Sequence, residues 1–191
     1  MIKLAVLVSG TGSILEAMLQ QEVPVALVVA DRPCRGLELA EQAGIPTALI
    51  DRTAFGFSGP GSEWDRTGFT QAIIEKLKEQ DIGLVAMAGF MTILDPVIFE
   101  AFPTRILNTH PSLLPAFKGD AAVQDALDAG ASVTGCTIHY ASADLDGGPI
   151  IVQREVEILP GDTRESLHER IKTMERTMYP EVVKKLLAED D

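Results

Sequence analysis

Positive charge is scarce in this sequence of 191 residues. Its 16 Lys and Arg residues are outnumbered by 28 Asp and Glu residues, which gives a formal net charge of −12. Nucleic acids and anionic membranes are bound through basic surfaces, so neither is an expected partner. A phosphorylated small molecule is not excluded, because a few backbone N–H groups and one Lys or Arg can hold it locally.

Cysteines and long hydrophobic runs are also few. Cys34 and Cys136 lie far apart, without a CxxC motif or a Cys/His cluster, so we expect neither a disulfide framework nor a metal site. The apolar start "MIKLAVLVSG" is too short to span a membrane and lacks a signal-peptide cleavage pattern. We therefore expect a cytoplasmic, soluble protein. The sequence leaves open whether it is a monomer or a homodimer.

Short apolar runs alternate with helical patterns in the first part of the chain. We predict strands at 2–8, 23–30 and 46–50, and helices at 13–21, with Ser13 as N-cap, and at 36–44. A βαβαβ order predicts a parallel sheet with right-handed crossovers.

The second part adds strands of a different kind. The pattern predicts a loop at 51–62, a helix at 63–80, an apolar strand at 82–90, a short helix at 95–101 begun by Asp95 and Pro96, a strand at 105–108 and a helix at 121–130. Apolar and polar residues alternate in the segments 132–141 and 148–158, which predicts a hairpin with one face more exposed to water. The segment 163–190 is predicted to be a long helix, kinked or interrupted at Pro180. The predicted fold class is α/β: one domain with a Rossmann-like, mostly parallel N-terminal half, an antiparallel hairpin and a long C-terminal helix.

The turn "SGTGS" at 9–13 separates the first strand from the first helix. Backbone N–H groups there, with the helix dipole behind them, can bind an anion such as phosphate. The dinucleotide fingerprint is incomplete, because Leu15 stands where a third glycine is required, although Asp31 lies where a ribose-binding acid would be. NAD binding and a turn without a ligand both stay open from these residues.

The stretch "ILNTHPSLLP" contains one of the three histidines of the chain. Asn108 and His110 are two positions apart, so their side chains share a face of an extended segment. Ligand sites in open α/β sheets form at such strand ends. The alternative is that Asn108 makes a turn bond and His110 is an ordinary surface or core ring.

The loop "DLDGGP" joins the two hairpin strands. Asp146 there is either part of an ordinary Asp-Gly turn or a carboxylate that orients His110 and favours its protonated form. We expect His139 to be structural or exposed and His168 to be solvated. The segment "MAGFM" is either plain core or the wall of a pocket for a flat heterocycle.

Taken together, five stretches resemble the glycinamide ribonucleotide formyltransferases, a family of folate-dependent enzymes of de novo purine synthesis. They are "VLVSGTGS", "AGFMTILDP", "ILNTHPSLLP", "GCTIHYASADLDGGPIIVQ" and "ERIKTMERTMYP", in the family's order across nearly the whole chain. "HPSLLP" and "LDGGPI" are shared by other enzymes that use formyltetrahydrofolate. "SGTGS" and the E-x-x-x-Y-P pattern point to this family.

The resemblance implies 10-formyltetrahydrofolate as cosubstrate, no metal, and specific roles for residues. Its catalytic set would be Asn108, His110 and Asp146. The ribonucleotide would be held by Thr11, Gly12, Ser13, Ile14, Lys172 and Glu175, with the phosphate on the turn and the glycyl amine at Glu175. The folate would be held by Arg66, by Phe90, Met91, Thr92, Ile93 and Leu94, and by Ala141, Ser142, Ala143, Asp144 and Leu145.

The resemblance also implies two functional halves and leaves one alternative reaction. Residues 1–105 would bind the ribonucleotide phosphate, and residues 106–191 would carry catalysis and the folate site. Ile14 replaces a family Asn, and Asp120-Ala121 replaces a pattern that ends in His, so the chain departs from the family's side chains at both places. "LPAFKG" resembles formyltetrahydrofolate hydrolases, which have an additional N-terminal domain, whereas this sequence opens on a strand.

Overall fold

The computed structural model describes residues 2–189, which form a seven-stranded sheet covered by helices on both faces. The strands are β1 (Lys3–Val8), β2 (Val25–Ala30), β3 (Thr47–Leu49), β4 (Ile82–Met87), β5 (Ile106–His110), β6 (Val133–Tyr140) and β7 (Ile150–Glu157). The helices are α1 (Ser13–Gln20), α2 (Arg35–Gln42), α3 (Arg66–Glu79), α4 (Val97–Ala101), α5 (Ala122–Asp128) and α6 (Arg164–Glu189), with a 3₁₀ helix at Arg52–Phe55.

The strand order across the sheet is β3-β2-β1-β4-β5-β6-β7. Strands β1 to β5 pair in parallel, whereas β6 is antiparallel to both β5 and β7. The predicted α/β class, with a parallel first half, an antiparallel hairpin and a long last helix, is confirmed. The order reverses at β1 and β4, and ligands of open α/β sheets bind beyond the carboxyl ends of the strands at such a point.

Strand β1 is apolar throughout its buried length because both of its faces are covered. Leu4, Val6 and Val8 belong to one core cluster, which includes residues of α1, α5 and α6. Ala5 and Leu7 belong to the other cluster, which includes residues of α3 and α4. Alternate residues of a strand point to opposite faces, so both sets of β1 side chains lie in apolar core.

Several elements end one to three residues from their predicted limits. Gly12, with φ of 68°, caps α1, and Ser13 is its first helical residue, so the prediction of Ser13 as N-cap was wrong. Glycine adopts this left-handed backbone conformation without the strain that a side chain would cause. Strand β4 ends at Met87, and β5 continues to His110 because β6 pairs with it that far.

The hairpin differs from the expectation of one wetter face. Strand β6 is buried at every residue from Thr134 to His139, because α6 packs against one of its faces and the segment after His110 lies against the other. Strand β7 is one of the two edge strands of the sheet, and more than half of its residues are exposed. The polar residues of β6 are therefore inside the protein, where each polar group needs a hydrogen-bond partner.

Helix α6 runs across Pro180 without interruption. Proline has no N–H for the carbonyl four residues earlier, which here belongs to Arg176. The side-chain amide of Gln21, just beyond α1, donates to that carbonyl at 3.2 Å. The predicted helix extends to Asp190, which lies outside the described residues.

Candidate active site

The register of β5 and β6 places four polar side chains in two adjacent cross-strand pairs. Asn108 lies opposite His139, and His110 lies opposite Thr137. Asn108 and His110 share a face of β5, as their spacing predicted. His110 is 5% exposed and His139 is 1% exposed, so the two rings are almost removed from water.

His110 contacts an oxygen at each ring nitrogen. Nδ1 lies 3.3 Å from Oδ2 of Asp146, and Nε2 lies 2.7 Å from the backbone carbonyl oxygen of Phe117. Two acceptors, one at each nitrogen, are complementary to a doubly protonated ring. The structure thus brings together the three residues of the predicted catalytic set, because Asn108 contacts His139, whose Nε2 is 3.8 Å from Oδ1 of Asp146.

The loop between β6 and β7 has little freedom in how it presents Asp146. Asp146 has a left-handed φ of 52°, and its Oδ2 also accepts a hydrogen bond from the N–H of Gly119 at 2.9 Å. A Cβ on Gly148 would lie 1.8 Å from the carbonyl oxygen of Tyr140, so only glycine fits there. The glycines that follow Asp146 are therefore part of what holds the carboxylate in place.

The segment after His110 is held by one buried hydroxyl. Oγ1 of Thr137 donates to the carbonyl of Ser112 at 2.7 Å and accepts from the N–H of Leu114 at 3.1 Å. The side-chain amide of Gln153 donates to that same Oγ1 and to the carbonyl of Leu114, both at 2.8 Å. The sequence did not identify Thr137 or Gln153, since neither has a motif of its own.

Glu175 lies against the opposite face of β5. Thr109, between Asn108 and His110, donates its hydroxyl to Oε1 of Glu175 at 3.1 Å. Burial raises the pKa of Glu175 to about 7, while Thr109 and Lys172 oppose the shift.

The E-x-x-x-Y-P pattern also anchors α6 to the sheet. One turn after Glu175, the hydroxyl of the buried Tyr179 donates to the carbonyl of Met87 at 3.1 Å. This bond ties α6 to the end of β4. The E-x-x-x-Y-P pattern therefore has two roles: it contains Glu175, and through Tyr179 it fixes the position of Glu175 relative to the sheet.

The turn at Thr11 to Ser13 presents the free end of helix α1. The first N–H groups of a helix have no partner within it, and α1 has no side-chain cap. A Cβ on Gly12 would lie 2.9 Å from Cα of Gly36, so the turn is packed tightly against α2. The side chain of Ile14 is buried in the core, so only its backbone can contribute to a site here.

The segment Phe90 to Leu94 alternates in exposure. Met91 and Ile93 are 70% and 59% exposed, whereas Thr92 and Leu94 are each 7% exposed. The N–H of Met91 donates to the hydroxyl of Ser9 at 2.9 Å, which holds the segment beside the end of β1. Its backbone and its two exposed apolar side chains are what a ligand can reach.

Asp31 is already occupied by internal partners. The carboxylate is fully buried, and it accepts two hydrogen bonds from Arg32 and one from Thr92. Burial alone would raise its pKa, but the bonds from Arg32, Thr92 and Ser9 outweigh burial and lower the pKa of Asp31. A carboxylate in this state does not bind a ribose, which removes the main support for NAD binding.

The remaining predicted folate residues lie at or near the surface. Ala141 and Ser142 are half-buried, whereas the next three residues, Ala143 to Leu145, are exposed. Asp144 pairs with Lys118 at 3.4 Å. These residues form the part of the loop that precedes the buried Asp146.

Arg66 is exposed at the start of α3. Its neighbour Thr67 donates to the carboxylate of Asp95 at 2.9 Å. Asp95 directly follows Leu94, so Arg66 lies beside the end of the Phe90 to Leu94 segment.

Of the other two histidines, expected to be structural or exposed (His139) and solvated (His168), only His168 differs from the expectation. His139 is buried in the site, and Nε2 of its ring is 3.3 Å from Nδ2 of Asn108. His168 is half-buried rather than solvated, and burial followed by the charge of Lys172 lowers its pKa. The β5–β6 register places His139 opposite Asn108 and therefore in the site. That register cannot be read from the sequence alone.

The described part of the chain lacks two further kinds of feature. Between residues 2 and 189, no helix is long and apolar enough to cross a membrane. The same residues include no group of three or more His, Cys, Asp or Glu side chains placed to hold a metal ion.

Known proteins share both the sequence and the fold of this chain. The formyl transferase family profile matches residues 2–183. Phosphoribosylglycinamide formyltransferase of Bacillus subtilis is 40% identical over 192 residues, which cover 97% of this chain and 94% of that protein. A crystal structure of glycinamide ribonucleotide transformylase 1 from Symbiobacterium toebii superposes with a TM-score of 0.86 at 42% identity, covering 96% of this chain and 86% of that one.

A longer relative matches over part of its length. The trifunctional purine biosynthetic protein adenosine-3 of Gallus gallus is 41% identical over 186 residues. The match covers 94% of this chain, and the chain spans 18% of that protein.

Thr137→Val should destabilise the protein, because it leaves the Leu114 N–H and the Ser112 carbonyl buried without their partner. We expect the free energy of unfolding in urea to fall by about 2–6 kcal/mol, at roughly 1–3 kcal/mol for each of the two unpaired groups. The matched control is Thr134→Val on the same strand, since its buried hydroxyl has no hydrogen-bond partner among the described residues. Equal losses in the two variants would contradict the role given to Thr137.

Glu175 should make stability depend on pH. Its folded pKa of about 7 exceeds its ordinary value of 4.5, so the folded state retains a proton that the unfolded state loses between these values. The contribution of Glu175 to the free energy of unfolding is complete below about pH 4.5, decreases as the pH rises, and is lost above about pH 7. The total loss is roughly 3 kcal/mol. Urea unfolding at pH 5 to 8 should show this slope in the wild type and in Glu41→Gln, an exposed control, but not in Glu175→Gln. An unchanged slope in Glu175→Gln would refute the assignment.

Proposed function

Because this chain belongs to the formyl transferase family, we propose that it transfers the formyl group of 10-formyltetrahydrofolate to the amine of 5-phosphoribosylglycinamide. The products are formylglycinamide ribonucleotide and tetrahydrofolate, in de novo purine biosynthesis. The observation that carries the proposal is the buried contact of His110 with Asp146, beside Asn108, at the carboxyl end of β5. Relatives named for this activity, at about 40% identity, support it.

The ribonucleotide would extend from the amino end of α1 to α6. The backbone of Thr11, Gly12, Ser13 and Ile14 would receive the phosphate at the helix terminus, with Lys172 as the nearby cation. Glu175 would hold the glycyl amine end. Its raised pKa suits this role, because a carboxyl group near neutrality can accept a proton from an ammonium group and leave the amine nucleophilic.

The folate would lie between two segments of the chain. Phe90, Met91, Thr92, Ile93 and Leu94 would form one side, and Ala141, Ser142, Ala143, Asp144 and Leu145 the other. The exposed Met91 and Ile93 offer apolar contact with a flat ring, whereas Thr92 and Leu94 would contribute their backbone only. Arg66 would meet the anionic tail of the folate. Residues 1–105 would then serve the phosphate, and residues 106–191 catalysis and most of the folate site.

The reaction requires an oxyanion to be stabilised and one proton to be moved. The amine attacks the formyl carbon, the carbonyl oxygen becomes an oxyanion, and the bond to N10 of the folate breaks as N10 gains a proton. The amide of Asn108 and the protonated ring of His110 would donate to the oxyanion. Asp146 would keep His110 charged and, directly or through a water molecule, take the proton that the amine releases and pass it to N10 as the bond from N10 to the formyl carbon breaks.

His110 must exchange one partner before it can act. Its Nε2 now donates to the carbonyl of Phe117, and the neighbouring Gly119 donates to Asp146. The segment from Ala116 to Gly119 therefore covers both members of the pair. Phe117 has a left-handed φ of 53°, which is unfavourable for a residue with a side chain. Substrate binding would displace this segment and free the Nε2–H for the formyl oxygen.

Formyl transfer should depend on the amine substrate. We expect the release of tetrahydrofolate from 10-formyltetrahydrofolate to require glycinamide ribonucleotide. The release is measured by the change in absorbance. Turnover that is equally fast without the amine would identify a hydrolase instead and would end the transferase proposal.

Removing either member of the buried pair should abolish most activity. His110→Ala and Asp146→Asn should each lower kcat by about 10²–10⁴-fold, the range for a general acid–base group. Circular dichroism and urea unfolding check that each variant folds. His168→Gln on α6 is the matched histidine control and should keep wild-type kcat. Near-normal turnover of either pair variant would refute the catalytic assignment.

A further inference from the structure

His139 occupies a position that the proposed mechanism does not use. It lies on β6 directly opposite Asn108, and its side chain is 1% exposed. Side chains that face each other across an antiparallel pair are close enough to interact. The ring is therefore enclosed between Asn108 on one side and the Asp146 loop on the other.

One backbone group determines which nitrogen of this ring is protonated. Nδ1 of His139 lies 3.0 Å from the carbonyl oxygen of Tyr140. A carbonyl oxygen can only accept, so Nδ1 carries a proton. Burial lowers the pKa of His139, and the charges of His110 and Lys118 act in the same direction, against the Tyr140 bond and the charge of Asp146. With its pKa below the ordinary value of 6.5, the ring is neutral at about pH 7, and its Nε2 is an acceptor.

An acceptor at Nε2 determines the orientation of the Asn108 amide. The amide nitrogen of Asn108 is 3.3 Å from Nε2, so one of its two N–H bonds is directed at His139. The second N–H of the same group stays available to a ligand. An amide turned by about 180° would present its oxygen instead, which repels an oxyanion.

A neutral His139 also leaves Asp146 to its other partners. Nε2 of His139 is 3.8 Å from Oδ1 of Asp146, which is too long for a hydrogen bond. Oδ2 of Asp146 contacts His110 and Gly119 at 3.3 and 2.9 Å. A protonated His139 would draw the carboxylate away from His110.

We propose that His139 is a positioning residue: its neutral ring, protonated on Nδ1, accepts one N–H of the Asn108 amide and so holds the second N–H toward the reacting oxygen. The effect on catalysis rests on the proposed formyl transfer, while the tautomer and the hydrogen bond do not.

The kinetic test compares two substitutions in two backgrounds. His139→Leu removes the acceptor, and His139→Gln retains one near the position of Nε2. We expect His139→Leu to lower kcat by about 10–100-fold with little change in either KM, and His139→Gln to restore most of that loss. Complete loss of one oxyanion donor costs about 10²–10³-fold, and a donor that is misplaced for part of the time costs less. In an Asn108→Ala background, His139→Leu should cost less than about 3-fold, and an equal cost in both backgrounds would show a general structural role and overturn the proposal.

The second test does not depend on activity. Long-range ¹H–¹⁵N correlation of the wild type, with His139 assigned by loss of its signals in His139→Gln, reports the protonation of each ring nitrogen. We expect a protonated Nδ1 and an unprotonated Nε2 at about pH 7, near which histidine ordinarily titrates, and a shift of Nε2 in Asn108→Ala. A protonated Nε2 overturns the proposal, even if His139→Leu does not fold. Absence of formyl transfer in the wild type would refute the proposed function, and the spectrum would still decide the role of His139.

Discussion

The antiparallel register of β5 and β6 is the constraint on which the site depends. It sets Asn108 against His139 and His110 against Thr137 in the interior of a sheet, where polar groups must be paired. These side chains meet the requirement with different partners: Asn108 with His139, His110 with Asp146 and Phe117, and Thr137 with the backbone after His110. A shift of one residue in register would turn a strand's side chains to the other face.

The sequence was most informative where a local pattern determines the structure by itself. The apolar run of β1 predicted a buried strand, and Asn108 and His110 shared a face because their spacing required it. It was less informative about His139, whose surroundings come from a strand about 30 residues earlier in the chain. The end of β5 depends on pairing across the sheet, and the burial of β6 depends on segments that pack on its faces. No local pattern encodes either. Ser13 was misplaced as an N-cap because the conformation of Gly12 serves that position.

Glu175 and Asp31 show how burial has opposite results for two carboxyl groups. Asp31 meets Arg32, Arg52 and Thr92, so it remains charged and occupied. Glu175 accepts a hydrogen bond from Thr109, and its pKa rises to about 7. A carboxyl group that is held near neutrality by its surroundings is poised for proton exchange, whereas one saturated by guanidinium groups is a structural tie. The difference between the two carboxyl groups therefore comes from the hydrogen-bond donors around each one and not from how deeply it is buried.

The bond from Gln21 to the carbonyl of Arg176 has a geometric consequence. It joins the end of α1 to α6 one residue after Glu175, while Tyr179 fixes α6 to β4. The amino end of α1 and the carboxyl group of Glu175 are thereby held at a constant separation. If a phosphate occupies the first and an amine the second, that separation acts as a gauge of molecular length, and a shorter or longer ligand could satisfy only one end at a time.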